Sequence, residues 1–371
     1  MIGNASRMSA YCRAIGSNAA NFAGKVVLDL GCVTGVIALF AAKAGAARVY
    51  AVEEAGAAQR AEALLANNGF SDVVTVIEGT IEEVDLPEQV DIIVSEWMGH
   101  FLLRESMIDS VLFARDKYLK SDGALYPSSA RMFLAPASYT DDGLKAKGPG
   151  FEQKVEEWGE FVEEWKSAHG VDFSCLSATL AEEAKEAYLG VSHGVDLEPS
   201  DLLGPPVCIK EIDLLTVTLE ECSHVLLDEA LEMKLFPAKS PGDDDGSEER
   251  PPLTMFAGWF SVAFEGSPRS PSLVEVECSS GPEELQGTHW GQEAFLVYPP
   301  LPLRAGDHAI QCRLQMERQL ENWRMYDVSL EYAVLKSPAP SSSQAGEGAE
   351  PEGEGGSSSK GRTYLAHYEL D

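Results

Sequence analysis

The strongest constraint on the fold is a regular alternation between Lys25 and about Tyr126. "KVVLDLG" is a short apolar run closed by glycine, "VIALFAAKAG" has helical spacing and stops at Gly45, and "ARVYAVE" is a second strand. "AQRAEALLANNG" is a second helix ended by Asn-Asn-Gly, and "VVTVIEG" and "VDIIVSEW" are further strands. "SMIDSVLFARDKYL" is amphipathic and is followed by "KSDGALYP", which reads as a turn. Apolar strands separated by helices cannot pair as hairpins. They imply a parallel, doubly wound sheet with helices on its faces.

After Pro127 the pattern changes. "ARMFLAPA", "IKEIDLLTVTLE", "LEMKLF", "LTMFAGWFSVAFEG", "SLVEVE", "EAFLVY", "HAIQCRLQME" and "MYDVSLEYAVL" all read as strands, mostly without helices between them. This predicts an antiparallel second domain, barrel or sandwich. The chain therefore divides into an α/β unit over 1–127 and a β unit over 128–371. Two helical stretches at about 151–189 form an insertion. An acidic loop (238–252) and a Ser/Gly/Glu/Pro-rich linker (337–362) fit no regular element. "TYLAHYELD" beyond the linker reads as a returning strand or a loose tail.

The formal net charge of −32 repels phosphate backbones and anionic membranes and attracts cationic partners. No direct nucleic-acid or membrane binding is expected. The seven cysteines are scattered, with no C-x-x-C pair, which fits free thiols in a reducing compartment and argues against a zinc site. No apolar run spans a bilayer, and the first residues lack a signal-peptide core. The expected location is nucleus and cytoplasm.

Candidate ligand-binding residues fall where strands end. "VLDLGCVTG" contains Asp29, Gly31 and Gly35 between the first strand and the first helix, where backbone can approach a ligand and helix N–H groups face it. Glu53 ends the second strand, where an acid can accept from both ribose hydroxyls. Thr80, Ile81 and Glu82 follow the third strand, and Glu82 could accept from an exocyclic adenine amine. With no Walker sequence, triphosphate hydrolysis is not expected, leaving NAD or S-adenosylmethionine. After the fourth strand, "SEWMGHFLLRESM" places Glu96 and Glu105 nine residues apart around apolar Met98, Phe101, Leu102 and Leu103. Carboxylates in such surroundings need a partner.

"VVLDLGCVTGVIALFAAKAGAARVYAVE", "IEEVDLPEQVDIIVSEWMGHFLLRESMIDSVLFARDKYL" and the distant "GTHW" resemble the protein arginine N-methyltransferases, with further likeness in "VCIKEIDLLTV" and "HGVDFSCL". The likeness covers nearly the whole chain and is greatest to the branch forming asymmetric dimethylarginine. It implies a Rossmann-like methyltransferase domain, an antiparallel β-barrel and a helical dimerisation arm giving a homodimer. It also implies S-adenosylmethionine as cofactor, S-adenosylhomocysteine as product, no metal, and Arg-rich proteins as acceptors, histones and Gly/Arg-rich proteins among them. Gly31, Glu53 and Glu82 match cofactor positions, and Arg7 the arginine that holds the methionine carboxylate.

On this resemblance Glu96 and Glu105 clamp the acceptor guanidinium, whose paired N–H donors suit carboxylates. His289 assists proton removal or holds the N-terminal helix, while Trp97, Met98, Met107 and Trp290 line the acceptor pocket. The chain departs from the family pattern at four places. "MIGNASR" reads as starting inside the family's N-terminal helix. Asn4 replaces an acidic partner of the histidine, Val33 replaces a glycine, and His100 stands where tyrosine is usual. These departures keep open a second reading, a catalytically impaired scaffold or dimer partner. The acid pair itself disfavours a methyltransferase for a non-cationic acceptor.

Overall fold

The computed structural model describes residues 4–54, 56–138, 150–227, 229–237, 250–284, 287–336 and 362–370. The linker at 337–361 and most of the acidic loop, 238–249, lie outside these.

A five-stranded parallel sheet is built from β1 (Val26–Leu30), β2 (Arg48–Glu53), β3 (Val74–Glu78), β4 (Val90–Ser95) and β5 (Leu119–Tyr126), in the order β3-β2-β1-β4-β5. Every residue of β1 is buried, as expected for a central strand covered on both faces. The helices are α1 (Ala5–Gly16), α2 (Ala19–Phe22), α3 (Val36–Lys43), α4 (Ala58–Asn67) and α5 (Ile108–Tyr118). "KSDGALYP" is a correction: it is β5, paired in parallel with β4 through Ala124, Leu125 and Tyr126, not a turn. Its polar start disguises a strand whose last four residues are buried. The strand order reverses between β1 and β4, the topological switch point at whose carboxyl ends such parallel sheets bind ligands.

From Ser129 the pairing is antiparallel. One sheet contains β6 (Ser129–Ala137), β7 (His193–Val195), β8 (Val207–Asp213), β11 (Leu253–Ala263), β14 (Glu277–Ser279) and β15 (Gln292–Leu301). A second contains β9 (His224–Leu226), β10 (Leu231–Lys234), β16 (Asp307–Arg318), β17 (Tyr326–Lys336) and β18 (Tyr364–Glu369). A small ribbon pairs β12 (Gly266–Ser267) with β13 (Ser270–Pro271).

The C-terminal segment is thus a strand, returning against β17 beyond the linker. Two extended readings were too long. "IKEIDLLTVTLE" leaves β8 at Asp213 and ends in the short helix Leu219–Ser223, which Thr218 caps by accepting from Glu221 N–H. "SLVEVE" is irregular up to Glu277, where β14 begins, because its backbone is taken by Asn18 of the N-terminal segment.

That buried Asn18 accepts from the N–H groups of Leu273 (2.7 Å) and Val274 (2.9 Å) and donates to Val274 O (2.8 Å). Tyr11 packs edge-on against Phe264 and donates to Ser95 O at 2.8 Å. Helix α1 is therefore fixed to both the parallel sheet and the β unit. The insertion forms the helices Phe151–His169 and Ser177–Leu189. Trp158, Phe161 and Trp165 of the first pack on Phe173 of the connection, and the helices meet through the Phe151–Tyr188 rings and the Trp158 Nε1 donation to Ser177 Oγ (3.0 Å).

Candidate active site

The carboxyl ends of β1, β2, β3 and β4 deliver most of the predicted residues. At β1, Gly31 (φ 71°) and Gly35 (φ 73°) adopt left-handed conformations that glycine takes freely. A Cβ on Gly31 would fall 2.2 Å from Met107 Cε, so the turn needs glycine for space as well. Val33 holds φ 45°, unfavourable for a β-branched residue. Its N–H donates to a carboxylate oxygen of Glu53, the end of β2. Asp29 is fully buried; one oxygen accepts from Ala38 N–H (2.8 Å) in the first turn of α3, and the other has no partner. After β3, Ile81 is buried, Thr80 is partly buried, and the exposed Glu82 accepts from Ser110 Oγ (2.7 Å) of α5.

Glu96 follows β4. Burial pushes its carboxyl up, the neighbouring Arg7 guanidinium pulls it down, and the Glu105 charge pushes it up again. Arg7 is buried in α1 and donates to Glu96 Oε2 at 2.9 Å through Nη1. The same Nη1 lies 3.4 Å from His289 Nε2, and Arg7 Cζ sits 5.3 Å from the centre of the Trp290 ring. Since a guanidinium only donates, His289 offers a lone pair at Nε2. Burial and the Arg7 charge lower its pKa to about 4, so the imidazole is neutral at neutral pH. Asn4 caps α1, accepting from Arg7 N–H at 3.0 Å, with its amide 3.5 Å from His289 Nδ1. Its place in the acidic partner's position is thus used for helix capping.

Glu105 is exposed, with φ 76°, and Ser106 follows at φ 58°. Trp97 and Met98 are buried in the same loop, and Trp290 Nε1 donates to Met98 O at 3.0 Å, joining the barrel to that loop. His100 meets the buried Glu293 at 2.9 Å, and Ser192 Oγ donates to the other Glu293 oxygen, also at 2.9 Å. The histidine therefore meets a buried acid that an apolar ring would leave without this contact.

The sequence reading missed two contributors. Tyr11 ties α1 to the end of β4, and Arg324, 219 positions beyond Glu105, receives the Glu105 N–H at its carbonyl (2.8 Å). Tyr11 carried a local signal as the one large aromatic in a small-residue helix. Arg324 carried none.

A family description for the "Arginine methyltransferase oligomerization subdomain" matches residues 151–337, and one for a "Methyltransferase domain" matches 27–123. The rice (Oryza sativa subsp. japonica) protein arginine N-methyltransferase PRMT10 is 42% identical over 331 residues, covering 89% of this chain and 83% of its own. Human protein arginine N-methyltransferase 2 is 34% identical, covering 94% and 72%. The chain belongs to the protein arginine N-methyltransferase family. Among solved structures, Arabidopsis thaliana protein arginine methyltransferase 10, described as uniquely open, superposes with a TM-score of 0.83 at 34% identity, covering 100% of this chain and 96% of its own. A Trypanosoma brucei PRMT1 enzyme–prozyme heterotetramer with AdoHcy gives 0.73 at 27% identity, covering 100% and 96%. This arginine methyltransferase accordingly uses S-adenosylmethionine and carries the family's oligomerisation subdomain.

The residues at the strand ends fit that cofactor. The Gly31 turn holds bare backbone at the end of β1, with Met107 against it, and buried polar atoms at Arg7 Nε, Asp29 Oδ1 and Thr34 Oγ1 lack partners. Among the described residues, no group of three or more His, Cys, Asp or Glu is arranged to hold a metal, and no helix is long and apolar enough to cross a membrane.

Proposed function

We propose that Glu96 and Glu105 receive the acceptor guanidinium, and that the cofactor lies along Gly31, Gly35, Glu53 and the Thr80–Glu82 turn with Arg7 at its carboxylate end. When bound, the cofactor supplies a methyl group on a positively charged sulfur. The observation that carries the reading is Glu96. It is a largely buried acid at the crevice end of β4, with a guanidinium already on one of its two oxygens and the Glu105 charge acting on it.

Two carboxylates neutralise the acceptor and fix its plane, so that one nitrogen is aimed at the methyl group. Trp97, Met98 and Trp290 keep the pocket dry, which strengthens that electrostatic hold. The methylated nitrogen must shed a proton. The neutral His289 and the solvent-facing Glu105 are the groups available to take it. Met107, beside Gly31, borders the reacting nitrogen, where its size bears on how many methyls are added.

The acceptors we propose are basic, Arg-rich protein segments, histone tails and Gly/Arg-rich sequences included, giving mono- and asymmetric dimethylarginine. The net charge of −32 supports a cationic acceptor. The exposed Trp165, Val171 and Leu176 of the helical insertion support homodimerisation through that arm. Seven unpaired thiols support a reducing compartment, nucleus or cytoplasm.

The test is transfer from labelled S-adenosylmethionine to a Gly/Arg-rich peptide. Glu96→Gln should keep the fold and lose roughly 100-fold or more in kcat. Wild-type turnover in that variant removes the clamp from the mechanism. Absence of both transfer and cofactor binding in the wild type would instead favour the scaffold reading.

A further inference from the structure

Beside the Glu105 loop lies the tip of the β16–β17 hairpin, Gln319–Met325. Its attachment is specific. Glu105 N–H donates to Arg324 O at 2.8 Å, and Ser106 Oγ donates to Trp323 O at 2.7 Å. Just behind the tip, Arg318 forms a two-pronged ion pair with Asp109 of α5 at 2.7 and 2.8 Å. Glu105 and Ser106 are consecutive non-glycine residues in the left-handed region, a conformation that persists only where surrounding contacts hold it. Two of those contacts come from the tip, which therefore sets where the Glu105 carboxylate stands.

The tip exposes two large apolar side chains, with the polar Glu321 and Asn322 between them. Leu320 is fully exposed (102%) and Trp323 is 56% exposed, three positions apart. Large apolar groups scattered singly over a surface are ordinary, but a pair on a fixed element beside an acidic site is a candidate contact surface. Arg324, between this ledge and the site, lies 3.7 Å from Glu105 through its guanidinium, with both side chains more than half exposed. An arriving arginine must compete with that internal cation for Glu105, so contacts made outside the clamp bear on which acceptors succeed.

We propose that this tip is an acceptor-reading lip, with Leu320 and Trp323 receiving an apolar side chain that flanks the target arginine. The proposal rests on the reading of Glu96 and Glu105 as the guanidinium clamp. The occupant follows from continuity. A guanidinium at Glu105 brings its own flanking chain over the two residues bonded to Trp323 and Arg324, and Leu320 and Trp323 are the apolar surface on that tip. The lip is a specificity element that touches acceptor and not the reacting atoms.

Two arginine peptides that differ only in a flanking leucine or serine test this with the full-length protein. The wild type should prefer the leucine peptide by about tenfold in kcat/KM, expressed in KM and not in kcat. The double substitution Leu320→Ser/Trp323→Ser should lose that preference, while Trp323→Phe retains most of it. Equal use of the two peptides by the wild type, or an undiminished preference in the double variant, overturns the lip and leaves the clamp standing. Transfer to neither peptide, with the Gly/Arg-rich peptide still methylated, overturns the lip alone, and no transfer to any of the three together with no cofactor binding overturns the clamp as well. A shift of the double variant to a smaller assembly in sedimentation, with its preference intact, reassigns the patch to a second copy of the chain and also overturns the proposal.

Discussion

Asp29→Asn should remove a pH dependence that the parallel sheet builds into the stability of the protein. The Asp29 carboxyl is completely buried between β2 and β4, with one accepted hydrogen bond and one oxygen without a partner. Burial pushes its pKa from 3.8 to about 7; the Ala38 N–H opposes the rise, and the Glu53 charge adds to it. The folded value lies above the unfolded one, so the folded protein binds more protons between the two. The stabilisation from the protonated acid is therefore fully present below about pH 4 and is lost as pH rises through about 7. A rise of about three pH units corresponds to about 4 kcal/mol, of which about 3 kcal/mol falls between about pH 5 and about pH 8.

An asparagine cannot ionise. Its unpaired amide costs about 1–3 kcal/mol, but by the same amount at every pH. The informative quantity is therefore the stability difference between variant and wild type, measured by urea unfolding across that range. It should move in favour of the variant by about 3 kcal/mol toward the alkaline end. A difference that stays constant would mean that Asp29 is ionised throughout. In that case the first-turn N–H groups of α3, which favour a negative charge, outweigh burial and the reasoning fails.

Other outcomes follow from the same geometry. Val33→Gly should stabilise the fold by about 1 kcal/mol, by relieving a left-handed β-branched residue at some cost in unfolded-chain entropy; loss of stability in urea would refute the strain. Gly31→Ala, at φ 71° and against Met107, should cost about 1–3 kcal/mol and weaken S-adenosylmethionine binding in calorimetry, whereas unchanged affinity would place the cofactor elsewhere. Arg7→Ala should destabilise by about 3 kcal/mol by stranding Glu96, and Arg7→Lys should recover part of this; two inert substitutions would show that the pair carries no energy. His289, with its pKa lowered to about 4, should show no NMR titration between about pH 5 and pH 8, and a midpoint near the ordinary histidine value of about 6.5 would contradict its neutral state.

Most of the α/β unit was legible because β1 to β4 are short apolar runs, the first three of them separated by segments of helical spacing. β5 escaped because its polar start, Lys120–Asp122, looks like a turn, while partnership with β4 makes it a strand. "SLVEVE" failed for the opposite reason: alternating residues suggest a strand, but its backbone partners come from Asn18, far away in sequence. At the candidate site, Glu53 and Glu96 could be marked from the sequence because each follows directly on an apolar strand, and Glu105 because it stands in an apolar loop. The Arg7–Glu96 pair and the support of Glu105 by Arg324 were invisible locally, since each joins elements that only the tertiary fold brings together.

The Arg7–Glu96 contact also bears on how such a protein exists between turnovers. If Glu96 receives the acceptor as proposed, it is between turnovers an acid held away from water, and an unpaired buried charge would cost several kcal/mol of stability. With Arg7 in place the resting pocket is already electrically balanced. On the clamp reading, an arriving guanidinium would share or displace the Arg7 contact on Glu96. On that reading folding and acceptor capture are separate, because the fold does not depend on an acceptor being present to balance Glu96.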